Sequence, residues 1–438
     1  MISCIFVKNN KYMGKFYNID PEKCTIEELE SAICEVSAKV EYFNTLQLGS
    51  KLFINSVYGV FGTEFFNLFN EDLAESITLQ GQDLIKYSVD EINKYFNELW
   101  KTDFSAHDKI ANEMKSKYPD FSVESFLQMA RSNSLLINTL RIYGDTDSAY
   151  ITFQPIIDAC GIKPEHETDF DIAVYTHAMK PYLDDAFERY AQMYNCKENL
   201  EEFELEKISR TIILLAKKNY MCDVAWVDSG KRYDSLEKVT YTGFDVVKGS
   251  TPEYCRKEMK TFVNYVLGKL NTGVKPTRQE IADQLRAIKK RFIMQSPNEI
   301  SKGTSISNYE NFVMNDKSAD IVYYQVKKDE ADTPNARKLS VPIHVRAAAE
   351  YNHMLFTKSK KYLSKYALLK SGDKCKWYYV SEDEVFAFVP DNFPVEFAPP
   401  MDMDIQFEKM LLSPLNRIVV ALGYPEFPST LNYSYSLW

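Results

Sequence analysis

Two carboxylates one residue apart, Asp145 and Asp147 in Tyr143-Gly144-Asp145-Thr146-Asp147-Ser148, are the side chains of this sequence most suited to chemistry. Strand-like runs at 135–143 and 149–153 flank them, so the sequence predicts a β-hairpin with the acidic pair at its bend. Such a bend holds both carboxylates at a protein edge, as hard oxygen donors of the kind Mg²⁺ accepts together with substrate phosphates. Taken alone, the triplet reads first as a turn, because Asp and Gly populate ordinary turns.

A second group shifts that balance. In Lys51-Leu52-Phe53-Ile54-Asn55-Ser56-Val57-Tyr58-Gly59, a helix would put Lys51, Asn55 and Tyr58 on one face at i, i+4 and i+7. Lys supplies charge to a polyphosphate, Tyr packs against a sugar or base pair, and Gly59 permits close approach. The plainer reading is an amphipathic helix with Lys51 in solvent and Tyr58 in the core. A third group, Phe203-Glu204-Leu205-Glu206-Lys207-Ile208, leads through an apolar strand into Lys217-Lys218-Asn219-Tyr220. Two lysines and a tyrosine there suit a surface that meets a DNA backbone, although lysines beside a strand more often protect its edge.

In this order the three segments resemble family B DNA polymerases, most closely those of T-even-like bacteriophages. Lys51 through Gly59 looks like motif B (K-x-x-x-N-S-x-Y-G), and Tyr143 through Ser148 matches motif C letter for letter. Lys217-Lys218-Asn219-Tyr220 is similar to the K-K-R-Y element and departs from it at Asn219. The likeness continues through residues 243–252, at a palm-to-thumb junction, and 342–348, within a thumb, so it covers most of residues 40–380. Several ordered motifs are far more specific than one.

The resemblance implies a role for each residue. Asp147 is expected to bridge two catalytic Mg²⁺ ions, with Asp145 beside it. Lys51 and Asn55 would meet the incoming dNTP triphosphate, with Tyr58 and Gly59 near the nascent base pair. Lys217, Lys218 and Tyr220 would grip the primer–template, and Glu206 would be an accessory carboxylate.

The family also needs a motif A aspartate in a D-x-x-S-L-Y-P context, well over a hundred residues before motif B, yet only fifty residues precede Lys51. Exonuclease carboxylates and a first fingers helix are expected upstream too. The expectation is a split polymerase: an N-terminal polymerase/exonuclease subunit supplies these parts, the two Mg²⁺ ions are shared with its motif A aspartate, and this chain alone does not polymerise. Such a chain should expose apolar surface and unpaired strand edges until its partner covers them. Other readings are a fragment of a longer chain and a catalytically silent DNA-binding remnant. Against the remnant stand two intact carboxylates that repel DNA phosphate. A reverse transcriptase would show adjacent carboxylates rather than Asp-Thr-Asp.

The elements that must position these groups read as α+β, a partial right hand. Apolar residues at helical spacing (Ile33, Val36, Val40, Phe43) predict helices over 25–95, opened by Thr25 as a cap. A polar stretch near 100–134 reads as an insertion. Further helices are expected at 173–194, 263–270 and 278–292, and strands at 211–216, 220–227 and 239–241, with a hairpin turn at 228–231. Pro252 at a first helical position marks a boundary. The divisions are therefore 1–62 (second half of the fingers), 63–250 (palm) and 251–438 (thumb and tail). Basic clusters at Lys289-Lys290-Arg291, Lys302, Lys358, Lys360, Lys361 and Lys365 suit a thumb around a duplex, and the aromatic tail Leu431–Trp438 suits docking into a sliding clamp.

Composition excludes less. A chain of 438 residues has room for two to four domains, and eight scattered cysteines without metal-ligand spacing read as reduced thiols. A formal net charge of −10 decides little, since polymerases confine positive charge to one cleft. No run of about 18 apolar residues appears, so no membrane is expected and a cytoplasmic location follows by default.

Overall fold

Thr25 opens the first helix with a capping box. Its hydroxyl accepts the Glu28 amide at 3.3 Å, and the Glu28 carboxylate accepts the Thr25 amide at 3.0 Å. The computed structural model describes residues 25–132, 139–145, 148–314, 321–323, 338, 340–358 and 360–431. They divide into two units, 1–91 with 141–150, and 92–140 with 151–438.

In the first unit, helix α1 (Ile26–Phe61) spans 36 residues, roughly 54 Å at 1.5 Å per residue. Ile26, Leu29, Ile33, Val36, Val40, Phe43, Gln47, Ser50, Ile54, Val57 and Phe61 follow one another at alternating steps of three and four. That is the seam of a coiled coil, apolar except for two polar residues midway. No residue of α1 is buried, and Ile33, Phe43 and Ile54 are 63%, 63% and 57% exposed. Helix α2 (Glu71–Lys94) follows, its start capped by Asn70, whose Oδ1 accepts the Leu73 amide at 2.9 Å.

The second unit begins with helices where the sequence suggested a polar insertion. Helices α3 (Phe104–Lys117) and α4 (Val123–Ser132) carry charge on one side only and bury Ala106, Ile110, Met114, Phe126 and Ala130. This segment is part of a core, because its apolar residues share one helical face. Helices α5 (Gln154–Cys160), α6 (Glu167–Val174) and α7 (Lys180–Met193) complete the region.

His107 lies inside it, fully buried beside the Trp100 ring at 4.5 Å. Burial, then the Arg131 charge, lowers its pKa to about 4, with Asp103 and Asp108 opposing. The unfolded chain takes up this proton near pH 6.5 and the native chain only near 4, so stability falls as pH drops between those values. The loss is at most about 3 kcal/mol. Denaturant unfolding at pH 7 and pH 4.5 checks it: His107→Phe should lose less stability on acidification than wild type.

Strands β3 (Lys207–Ala216), β4 (Asn219–Val227) and β5 (Val239–Thr242) follow β1 (Arg141–Asp145) and β2 (Ser148–Ile151) in chain order and form an antiparallel meander. Lys217-Lys218 closes the β3–β4 hairpin, with Lys218 at φ +56°, and the turn expected at 228–231 follows β4, with Trp226 bridged antiparallel to Arg232 across it. Residues 228–231 make a separate bend, fixed by the Val227 amide donating to the Lys231 carbonyl at 3.1 Å. Ile213, Met221 and Phe244 share one core with α8 (Glu253–Asn271), α9 (Arg278–Phe292) and Leu415, Ile418 and Val419 near the C-terminus. Pro252 sits at the cap of α8, one residue before the expected place.

Beyond α9, where a mostly helical thumb was expected, β6 (Lys302–Ser305) pairs with a later strand. After the short pair β7 (Val313–Met314) and β8 (Val322–Tyr323) come β9 (Lys374–Tyr379) and β10 (Val385–Phe388), in sheet order β10–β9–β6. Tyr351 of α10 (Ile343–Lys358) packs there with Tyr378, Phe386 and Phe397. Helix α11 (Ser413–Ala421) is the last helix among the described residues.

Candidate active site

The acidic hairpin is present and shorter than its sequence suggested. β1 pairs with β2, and the Ser148 hydroxyl donates to the Asp145 carbonyl at 3.1 Å across the bend. Gly144 and Asp145 belong to β1 itself, not to the turn. The strand starts at Arg141, because Leu140 is buried and its amide donates to Asn93 Oδ1 at 2.9 Å. Residues 135–138 of the expected strand lie outside the described residues, as do Thr146 and Asp147. A Cβ on Gly144 would stand 3.4 Å from the Ser148 carbonyl, in ordinary contact, and the Tyr143 and Tyr150 rings lie 5.5 Å apart. Among the described residues no three His, Cys, Asp or Glu side chains gather as a metal cage.

Lys51, Asn55, Tyr58 and Gly59 lie on α1, and all but Gly59 fall one residue on from the apolar seam, about 100° around the helix. Lys51 and Asn55 are exposed, and a Cβ on Gly59 would meet nothing beyond the helix's own backbone among the described residues. The Thr78 hydroxyl donates to the Ala74 carbonyl at 2.8 Å, which leaves Tyr58 as the donor in its 2.9 Å bond to Thr78 Oγ1. Sequence reasoning missed Thr78, since nothing local marks a threonine twenty residues on from Tyr58 as its partner. The Lys51 face and Asp145 belong to the same unit, whereas Glu206, Lys217, Lys218 and Tyr220 belong to the other.

Lys217 and Lys218 are exposed at the β3–β4 turn, while Tyr220 is only 9% exposed. β4 is the central strand of its sheet and buried nearly throughout, so Tyr220 is held in the sheet with little of its surface exposed. Lys207 Nζ lies 5.9 Å over its ring. Glu206 is exposed just before β3, roughly 30 Å of strand from the Lys217-Lys218 turn at 3.3 Å per residue. The structure therefore does not bring Glu206 and the lysines together.

Residues 28–337 match the family model for DNA polymerase family B, which is most of the chain. The chain belongs to DNA polymerase family B. It is 27% identical to the DNA-directed DNA polymerase of Escherichia phage RB69 over 51% of its own length and 22% of that protein. It is 23% identical to the DNA-directed DNA polymerase of Enterobacteria phage T4 over 67% of its own length and 30% of that protein. The DNA polymerase of Choristoneura biennis entomopoxvirus is 26% identical over 42% of the chain and 17% of the relative. The chain thus spans less than a third of the length of these family B relatives.

The basic clusters of this family B chain are partly spent inside the fold. Lys289 Nζ pairs with Asp404 at 2.6 Å and donates to the Ser429 carbonyl at 2.9 Å, and Arg291 makes a two-pronged contact with Glu258 at 3.0 and 2.6 Å. Lys365 pairs with Glu396, and Lys302 lies over the Trp377 ring. Of the three basic residues at 289–291, only Lys290 has no ion pair among the described residues. The side chains of Lys358, Lys360 and Lys361 are outside the described set, as are residues 432–438 of the expected clamp-docking tail. Leu431 at its root is buried, with its carbonyl accepting from Arg286 at 3.3 Å. No described helix is long and apolar enough to cross a membrane.

Proposed function

We propose that this chain is the C-terminal, motif C-bearing part of a DNA-directed DNA polymerase, and that it extends a primer only when a second polypeptide supplies the motif A aspartate. The observation that carries the reading is the motif C hairpin in one unit with an α1 that bears the motif B row beside an uncovered apolar seam. In it the first fingers helix of an N-terminal polymerase/exonuclease subunit covers the seam of α1. Residues 1–62 then complete the fingers, 63–250 the palm and 251–438 the thumb.

Asp145 and Asp147 offer an all-oxygen donor set, which suits Mg²⁺, and they would hold two ions together with the partner's aspartate. Bound there, the ions would offset the charge that develops on the transferring phosphoryl group. Lys51 and Asn55 take the triphosphate of the dNTP, Tyr58 is set by Thr78 beside the nascent base pair, and Lys217 and Lys218 hold the primer–template backbone. Residues 432–438 reach a sliding clamp from the anchored Leu431.

Primer extension with Mg²⁺ tests the reading, using the chain alone and the chain mixed with the product of the neighbouring reading frame. Synthesis in the mixture only is the expected result. Extension by the chain alone overturns the need for a partner, and DNA binding without synthesis in the mixture favours the silent remnant.

A further inference from the structure

The Lys217-Lys218 turn is held by two residues close to it, the half-buried Asn219 and the exposed Gly243. β4 pairs with β5 so that Tyr220 lies opposite Thr242, which brings Asn219 and Gly243 side by side just past the last rung. Asn219 Nδ2 donates to the Gly243 carbonyl at 3.2 Å. The amide has one sensible orientation, since a flip would set two oxygens against each other.

Gly243 has φ +65°, and a Cβ placed on it would stand 2.0 Å from the Lys218 carbonyl oxygen. Only glycine permits that approach. Lys218 has φ +56°, so two left-handed residues face each other across this contact. Gly243 is fixed in turn by its neighbours. Phe244 is fully buried, and the Asp245 carboxylate accepts from Lys248 at 2.8 Å and from Arg417 of α11 at 3.4 Å.

We infer that Asn219 and Gly243 are positioning residues that pre-order the Lys217-Lys218 turn for a nucleic-acid backbone. Asn219 stands where the K-K-R-Y element carries arginine, so this chain replaces a cationic side chain with a clamp on the turn. The inference rests on the proposed DNA-binding role of the two lysines. A pre-ordered turn spares the ordering cost on binding without adding a charge contact. Loss of the clamp should therefore lower affinity and leave the salt dependence of binding unchanged, because that slope counts neutralised phosphates.

The test uses the full chain mixed with its complementing polypeptide and a primer–template duplex over a salt series. Asn219→Ala is expected to weaken binding roughly three- to tenfold, the span of one hydrogen bond, with the same salt slope and the same kcat at saturating DNA. Lys217→Ala and Lys218→Ala should each reduce the slope by about 1. Hydrogen exchange at the 217–219 amides should quicken in Asn219→Ala, and Gly243→Ala should displace the turn more severely. Wild-type affinity together with unchanged exchange in Asn219→Ala overturns the clamp. If the lysine variants bind DNA normally while exchange still quickens, the clamp stands as a structural device and it is the DNA-binding reading that fails.

Discussion

Asp147→Ala is expected to abolish primer extension by the complemented polymerase, a loss of about 10³-fold or more, while primer–template affinity stays at or slightly above the wild-type level. The first half follows from the chemistry of the site. An aspartate that would hold Mg²⁺ there would supply several kcal/mol of transition-state stabilisation, and each 1.4 kcal/mol is about tenfold in rate. The second half follows from sign, because removing a carboxylate near DNA phosphate relieves repulsion. Asp145→Ala should be milder, since Asp145 ends β1 and would hold the metal less directly in the proposed site. Rapid-quench extension and a binding titration on the same preparations check both halves, and Asp147→Asn keeps the shape of the side chain while removing its charge. If the pair were ordinary turn residues, Asp147→Asn would leave synthesis intact, and that outcome would remove the hairpin from the active site.

Much of the local structure was legible because local interactions decide it. The hydroxyl of Thr25 and the carboxylate of Glu28 announce a capping box, and α9 begins and ends where its apolar period does, at Arg278 and Phe292. Family membership was legible from the motif order. What escaped depended on distant partners. Nothing near Lys289 signals that Asp404 pairs with it and that the Ser429 carbonyl accepts from it, so a cation that reads as a surface charge also braces the fold. Tyr220 follows two exposed lysines in sequence, and only its place in the central strand reveals that little of it is exposed. Residues 104–132 read as a polar stretch because their mean polarity hides an apolar stripe, visible only when α3 and α4 are read by face. The close approach of Gly243 to Lys218 joins residues brought together by strand register, and no pattern in the sequence encodes that distance.

Phe43→Glu combined with Ile54→Glu should separate folding from assembly. Neither residue is buried, so thermal unfolding of the chain alone should shift little, within the about ±0.5 kcal/mol usual for surface changes. Both occupy seam positions of α1, and in the complex each would lie against the partner helix. Burying such a side chain contributes about 1.5–3 kcal/mol, and a carboxylate in its place adds a desolvation cost of its own. The double variant should therefore weaken the complex by about 10³-fold or more and lose primer extension at concentrations where wild type assembles. Lys51 and Asn55 remain unaltered, so raising the concentration of the complementing polypeptide should restore synthesis with a wild-type KM for dNTP. Calorimetric titration gives the affinity, and extension against partner concentration gives the rescue. Loss of fold in the isolated double variant would show that α1 is already packed. Normal assembly would show that the partner docks elsewhere, leaving the seam to a second copy of this chain, which sedimentation of the wild type would detect as a dimer.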